Sequence, residues 1–168
     1  FGGYGHPDHI RVHDVSIRAF ERAGDPAWYP EQLESGLVPW APSKLYETAI
    51  PNSVRVAMRA AMKAAGKRSF FDPPENATPE QLAEHEAFVA KVIVPDERIT
   101  TWVDISGDPI ERKWRALQRH VTQIAPDSGF IVMGEDGWKE HWSREAYVLR
   151  ESRVPVPDRE DDLFAGIV

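Results

Sequence analysis

The run Gly2-Gly3-Tyr4-Gly5-His6-Pro7-Asp8 constrains the fold more than any other stretch of the chain. Its three glycines permit unusual backbone angles and close approach of other groups. Pro7 fits the first position of a helix, where a missing N–H costs nothing. His6 is then the N-cap, and Asp8 falls in the first turn, where the helix dipole favours a carboxylate. Ile10, Val12, Val15, Ile17, Ala19 and Phe20 give that helix a broad apolar face, and Gly24 supplies its C′ stop. In α/β proteins sites assemble beyond the carboxyl ends of strands, where a loop of this kind delivers the chain into a helix.

The remaining segments extend that pattern. Residues 25–42, with Pro26, Pro30, Pro39 and Pro42 among Trp28, Tyr29 and Trp40, read as a long loop of the kind that serves a function or packs as a lid. Residues 44–50 alternate like a strand that Pro51 stops, and residues 53–65 have helical spacing closed by Gly66. After an irregular stretch, Thr78-Pro79-Glu80-Gln81 has the form of a helix cap, and that helix is expected to reach about Ala90. Residues 99–105 read as a strand. A strong helix opens at Asp108-Pro109 and is expected to run to Gln123 or Ile124. Residues 145–153 suggest a last strand before a proline-rich acidic tail. Strands and helices alternate, so the expected class is α/β with a largely parallel sheet.

Composition narrows the functional classes. A chain of 168 residues suits one domain with a sizeable core. The 27 acidic against 20 basic residues disfavour a partner that is nucleic acid, which calls for a net basic face. Arg112, Lys113, Arg115 and Arg119 read as the solvated face of a helix. No cysteine is present, so His and carboxylate are the available metal ligands and disulfides are excluded. No apolar run approaches the roughly 20 residues that span a bilayer. Neither a membrane nor a nucleic-acid partner is therefore expected, and the expected location is cytoplasmic. The chain opens on Phe1 inside a glycine-rich loop, so a further segment is expected upstream.

His6, Asp8 and His9 lie within four positions at the mouth of the first helix. His6 and His9 can face one cavity, and His9 and His13, four apart, can share a helix face. A zinc-type ion takes neutral imidazole or carboxylate ligands and keeps a position open for water. It lowers the pKa of that water towards about 7. A second histidine can donate a proton to a leaving amine, a carboxylate can orient it, and the Tyr4 hydroxyl can polarise a scissile carbonyl. On spacing alone the plain alternative weighs more: Asp8 as a helix-start residue, His6 as a polar cap, His13 and Asp14 as helix-face residues. A hydrolytic zinc takes three protein ligands, and this set offers one or two. His85 and His120 are isolated, and His141 sits between Trp138 and Trp142, so the remaining ligands are expected upstream of residue 1.

The run from Gly2 to Ile10, followed by a helix containing His13, resembles the second motif of the PIG-L-type zinc de-N-acetylases. Supporting segments are Lys44, Leu45 and Tyr46; the run from His120 to Ile124 followed by Asp127 and Ser128; and the ending from Glu160 to Gly166. That ending, with the run from Ala23 to Pro26, is more similar to the branch that cleaves mycothiol S-conjugates than to the branch that deacetylates N-acetylglucosaminyl-inositol. The resemblance implies a Rossmann-like sheet flanked by helices, of which residues 1–168 are the C-terminal portion of a single deacetylase or amidase domain, incomplete at its N-terminal side. It implies a zinc-dependent hydrolase that cleaves an amide on a glucosamine-containing small molecule. By the same resemblance His9 is a zinc ligand, His6 protonates the amine, Asp8 is its carboxylate partner and Tyr4 lies over the carbonyl. His120 and Gln123 match a recurring segment without an assigned role.

The first family motif, with two ligands and the general base, does not occur in these residues. The isolated chain is therefore expected to bind zinc weakly and to hydrolyse no amide. A different class remains open, a non-catalytic sugar-binding module on the same scaffold. A phosphoesterase would call for a second carboxylate cluster, which the sequence lacks.

Overall fold

The computed structural model describes residues 2–167. The first helix forms where the glycine loop delivers the chain: α1 spans Pro7–Arg22. His6 caps it with an extended backbone, and its Nδ1 accepts the Asp8 N–H at 3.2 Å. Ala23 closes the last turn by donating its N–H to the Ala19 carbonyl. Of the apolar face expected on α1, only Phe20 is buried, whereas Ile10, Val12 and Val15 are exposed. Residues 25–42 are mostly turns interrupted by the short helix α2 (Pro30–Leu33).

The sheet is built from β1 (Lys44–Thr48), β4 (Thr101–Asp104) and β5 (Arg144–Ser152) in the order β1-β5-β4, with both pairs antiparallel. A second, two-stranded ladder joins β2 (Ile50–Pro51) to β3 (Ile93–Val94) in parallel. The α/β class is as expected. The largely parallel sheet is not, and these residues do not form a clear Rossmann-like sheet. The last strand returns between β1 and β4 and runs against both, so its two edges are taken by antiparallel partners. This parallel pair is short because Pro51 has no N–H to donate and Asn52 already starts a helix.

Two helices connect that parallel pair. The first, α3 (Asn52–Ala64), turns Val54, Met58 and Met62 inward. The second, α4 (Pro79–Val92), starts in a full capping box between Thr78 and Gln81. Met58, Phe71, Val92 and Ile93 make one core cluster.

The fifth helix, α5 (Asp108–Leu117), ends well before residue 123. Its buried stripe explains the early stop: Ile110 and Trp114 pack with Trp138, Leu117 lies against that cluster, and the next apolar position, Val121, is exposed. Without burial, the β-branched pair Val121 and Thr122 has little reason to stay helical. Two further helices, α6 (Gly129–Val132) and α7 (Gly134–His141), lead to β5. Trp138 is buried, donates its indole N–H to the Phe130 carbonyl at 2.6 Å and stacks on Trp142 with ring centroids 4.9 Å apart.

A buried polar cluster ties the tail to the sheet. Lys44 Nζ donates to Glu160 Oε1 and to the Ala165 carbonyl, both at 2.6 Å. The Tyr46 hydroxyl and the Thr101 hydroxyl donate to Glu160 Oε2 at 2.9 and 3.2 Å. The Lys44 and Glu160 side chains are 2% and 1% exposed. Burial alone pulls the Lys44 ammonium pKa down, but Glu160 and Tyr46 outweigh it and the net shift is upward. Among the described residues no helix is long and apolar enough to cross a membrane.

Candidate functional site

The residues singled out at the start of the chain do come together. The backbone first approaches α1 at Gly2, whose φ is +73°. A Cβ there would meet the His9 carbonyl carbon and the Ile10 nitrogen, each at 2.3 Å. Only glycine can fold back over the first turn in this way. The loop then carries Tyr4 across the helix start. Its hydroxyl lies 3.4 Å from His9 Nε2, and the two rings meet edge to face with centroids 4.7 Å apart. The His6 and His9 rings are 5.7 Å apart. Two imidazoles and a phenol therefore surround one patch at the N-terminal end of α1, and Tyr4, His6, Asp8 and His9 are all solvent-exposed or nearly so.

The His6–Asp8 pair is less intimate than expected. His6 Nδ1 is 3.9 Å from Asp8 Oδ2, beyond hydrogen-bond reach, because that nitrogen already accepts the Asp8 backbone N–H. An accepting Nδ1 places the proton of the neutral ring on Nε2. The cap thus sets the tautomer, which a carboxylate would otherwise do.

The donor chemistry suits one corner of a zinc site, since neutral imidazole is a zinc ligand. It does not amount to a complete site. Among the described residues no group of three or more His, Cys, Asp or Glu side chains is placed to hold a metal ion.

Other histidines lie elsewhere. His85 is bonded to the Phe71 carbonyl at 3.2 Å, and His141 faces Glu140 at 3.7 Å. His120 and Gln123 occupy exposed turns after α5. Trp28, Tyr29 and Trp40 are exposed, and the Arg22 guanidinium covers the Trp28 ring at 3.9 Å.

Sequence reasoning missed the polar seam beneath His9. His13, one turn further along α1, has Nε2 3.2 Å from Glu47 Oε1 and Nδ1 3.3 Å from Asp14 Oδ1, and the neutral ring donates to one of the two carboxylates at a time. Arg150 donates to the same Glu47 oxygen at 2.6 Å. Burial pushes the Glu47 carboxyl up, but Arg150 and His13 outweigh it and hold it below the ordinary carboxylate range. His13, Glu47 and Arg150 line an open cleft of about 510 Å³ that runs from Gly2 and His9 down to β1. The alternation of β1 already marked Glu47 as facing opposite to Tyr46, which was the available signal.

No family model matches the chain. It is similar to the 1D-myo-inositol 2-acetamido-2-deoxy-alpha-D-glucopyranoside deacetylase 1 of Frankia alni, with 36% identity over 99% of this chain and 54% of that protein. It is also 38% identical to the deacetylase 2 of the same description from Frankia casuarinae, over 99% of this chain and 50% of the relative. The corresponding deacetylase of Acidothermus cellulolyticus is 35% identical over 99% of this chain and 49% of its own length. The chain thus spans about half the length of the curated relatives it matches.

Proposed function

Because the chain belongs to the family of PIG-L-type de-N-acetylases, matching their C-terminal part, we propose that it forms one half of a zinc-dependent hydrolase. That enzyme removes the acetyl group from a 2-acetamido-2-deoxyglucopyranoside of inositol. The observation that carries this reading is the 35–38% identity to deacetylases named for that substrate, along essentially the whole chain. Those relatives favour acetyl removal over cleavage of a mycothiol S-conjugate, which the ending from Glu160 to Gly166 had suggested.

Bound zinc supplies an acidified water and polarises the substrate carbonyl. His9 is the residue of this chain that would hold it, and the other ligands would come from outside these residues. The Tyr4 hydroxyl, 3.4 Å from His9 Nε2, is the donor to the carbonyl oxygen. His6, capped so that its proton sits on Nε2, gives that proton to the departing amine. Asp8 keeps the His6 cap in place through its backbone N–H and adds negative charge beside the ring.

The test uses a full-length enzyme carrying this segment, assayed on N-acetylglucosaminyl-inositol and on a mycothiol S-conjugate. The acetylated substrate is expected to turn over faster. His6→Ala is expected to lower kcat by about 10²–10⁴-fold, the usual contribution of a general acid. His9→Ala is expected to lose metal and activity together. Full metal content and full rate in His9→Ala would remove that ligand from the scheme.

A further inference from the structure

His13 belongs to neither the proposed chemistry nor the core, yet each of its ring nitrogens faces a carboxylate oxygen within hydrogen-bond distance. Its place on α1 gives those bonds a consequence. Among the described residues, hydrogen bonds from α1 to the sheet side of the molecule fall at two places. At the C-terminal end, Arg153 donates to the Phe20 and Glu21 carbonyls at 2.8 and 3.4 Å, and its guanidinium lies 4.3 Å from the centroid of the Phe20 ring. Near the middle, His13 meets Glu47 of β1, across 34 residues of sequence. The apolar residues that might otherwise seat the first half of the helix, Ile10, Val12 and Val15, are exposed.

A helix held at one end pivots about that end, and its free end moves most. Here the free end carries His6, Asp8 and His9, one turn or two beyond His13. Glu47 is itself fixed, since Arg150 of β5 holds the same carboxylate oxygen at 2.6 Å. The seam is therefore a chain of three side chains running from β5 through β1 to α1. We propose that His13 is a positioning residue: through Glu47 and Arg150 it fixes the start of α1 against the sheet, and so aims His6 and His9. This rests on the reading of His9 as a zinc ligand only for its functional consequence. The tether itself stands on the geometry.

The experiment follows amide hydrogen exchange along α1 and titrates the 168-residue chain with Zn²⁺. His13→Ala and Glu47→Ala are each expected to speed exchange at residues 10–14 by about tenfold, the lower end for a lost hydrogen bond to a charged group. Residues 18–22, held by Arg153, should keep the parent rate. His13→Gln retains a donor for Glu47 and should restore protection. Zn²⁺ affinity should fall in Glu47→Ala although His13 is intact there, which separates positioning from direct ligation by His13.

Unchanged exchange at residues 10–14 in His13→Ala and Glu47→Ala would overturn the tether, as would an equal rise at residues 18–22. If exchange rises locally while Zn²⁺ affinity is the same in the parent, Glu47→Ala and His9→Ala, the tether stands and His9 as a ligand is what fails.

Discussion

The molecule contains two polar clusters that solve opposite problems. Around Glu160, the side chains of Lys44, Thr101 and Glu160 itself are closed off from water, Tyr46 joins them half-buried, and both carboxylate oxygens have donors. Around His9, Tyr4, His6 and Asp8 stand in solvent with a long 3.4 Å contact, and His6 Nε2 is left to whatever binds. A buried ion pair survives only when its partners satisfy it fully, because desolvation costs several kcal/mol per ion. A site for chemistry has to keep donor and acceptor capacity in hand. The first cluster is thus a fastening, and the second has the unspent bonding that a metal and a substrate require.

The contrast can be broken by substitution. Glu160→Ala strands Lys44 in the interior and is expected to cost about 3–5 kcal/mol in denaturant unfolding, as for other broken buried pairs. Replacing both partners with apolar residues, Lys44→Met with Glu160→Leu, should recover most of that loss. A double variant as unstable as Glu160→Ala would mean that the tail is held by something other than charge. Tyr46→Phe removes a single donor to Glu160 and should cost about 1–1.5 kcal/mol. By contrast His9→Ala, on the exposed cluster, should change stability by no more than about 0.5 kcal/mol. A large loss there would make His9 a structural residue.

The smallest effect concerns pH. Arg150 and His13 hold the folded-state Glu47 carboxyl below its ordinary range, against the upward push of burial. A depressed carboxylate contributes stability above its unfolded pKa of about 4.3 and loses it as pH falls through the folded value. Protection of the first turns of α1 should therefore fade on acidification below about pH 4, and Arg150→Ala should move that fading to higher pH. An acid titration that leaves those amides untouched down to global unfolding would detach Glu47 from the helix.

What could be read from sequence was the chemistry of neighbours. The His6–Pro7 start of α1 and the Thr78–Gln81 box depend on residues three or fewer positions apart, and both formed as expected. Tyr4, His6 and His9 gathered from positions no more than five apart. The His6–Asp8 contact is longer than a hydrogen bond through local competition, since the Asp8 backbone N–H occupies the nitrogen that faces the carboxylate. Pairings across a hundred residues left no mark in periodicity. The antiparallel return of β5 between β1 and β4 was invisible, and so was the meeting of Lys44 with Glu160, although each segment had been noted separately. The α5 helix is shorter than its sequence suggests because helix propensity extends through Gln118–His120, whereas the partner surface ends at Leu117.

Arg153 carries a last consequence, for the order in which this chain can become itself. Its bond to the Phe20 carbonyl closes 133 residues, and the bonds from Glu160 to Lys44 and Tyr46 close 116 and 114. During synthesis α1 is made long before both of its anchors, Arg153 and the Arg150 that steadies Glu47. Contacts of such long range are slow to form. The helix that carries His6 and His9 therefore waits, unseated, while the residues from α1 to Arg150 are made, and a ribosome that stops before residue 150 releases it without its mount.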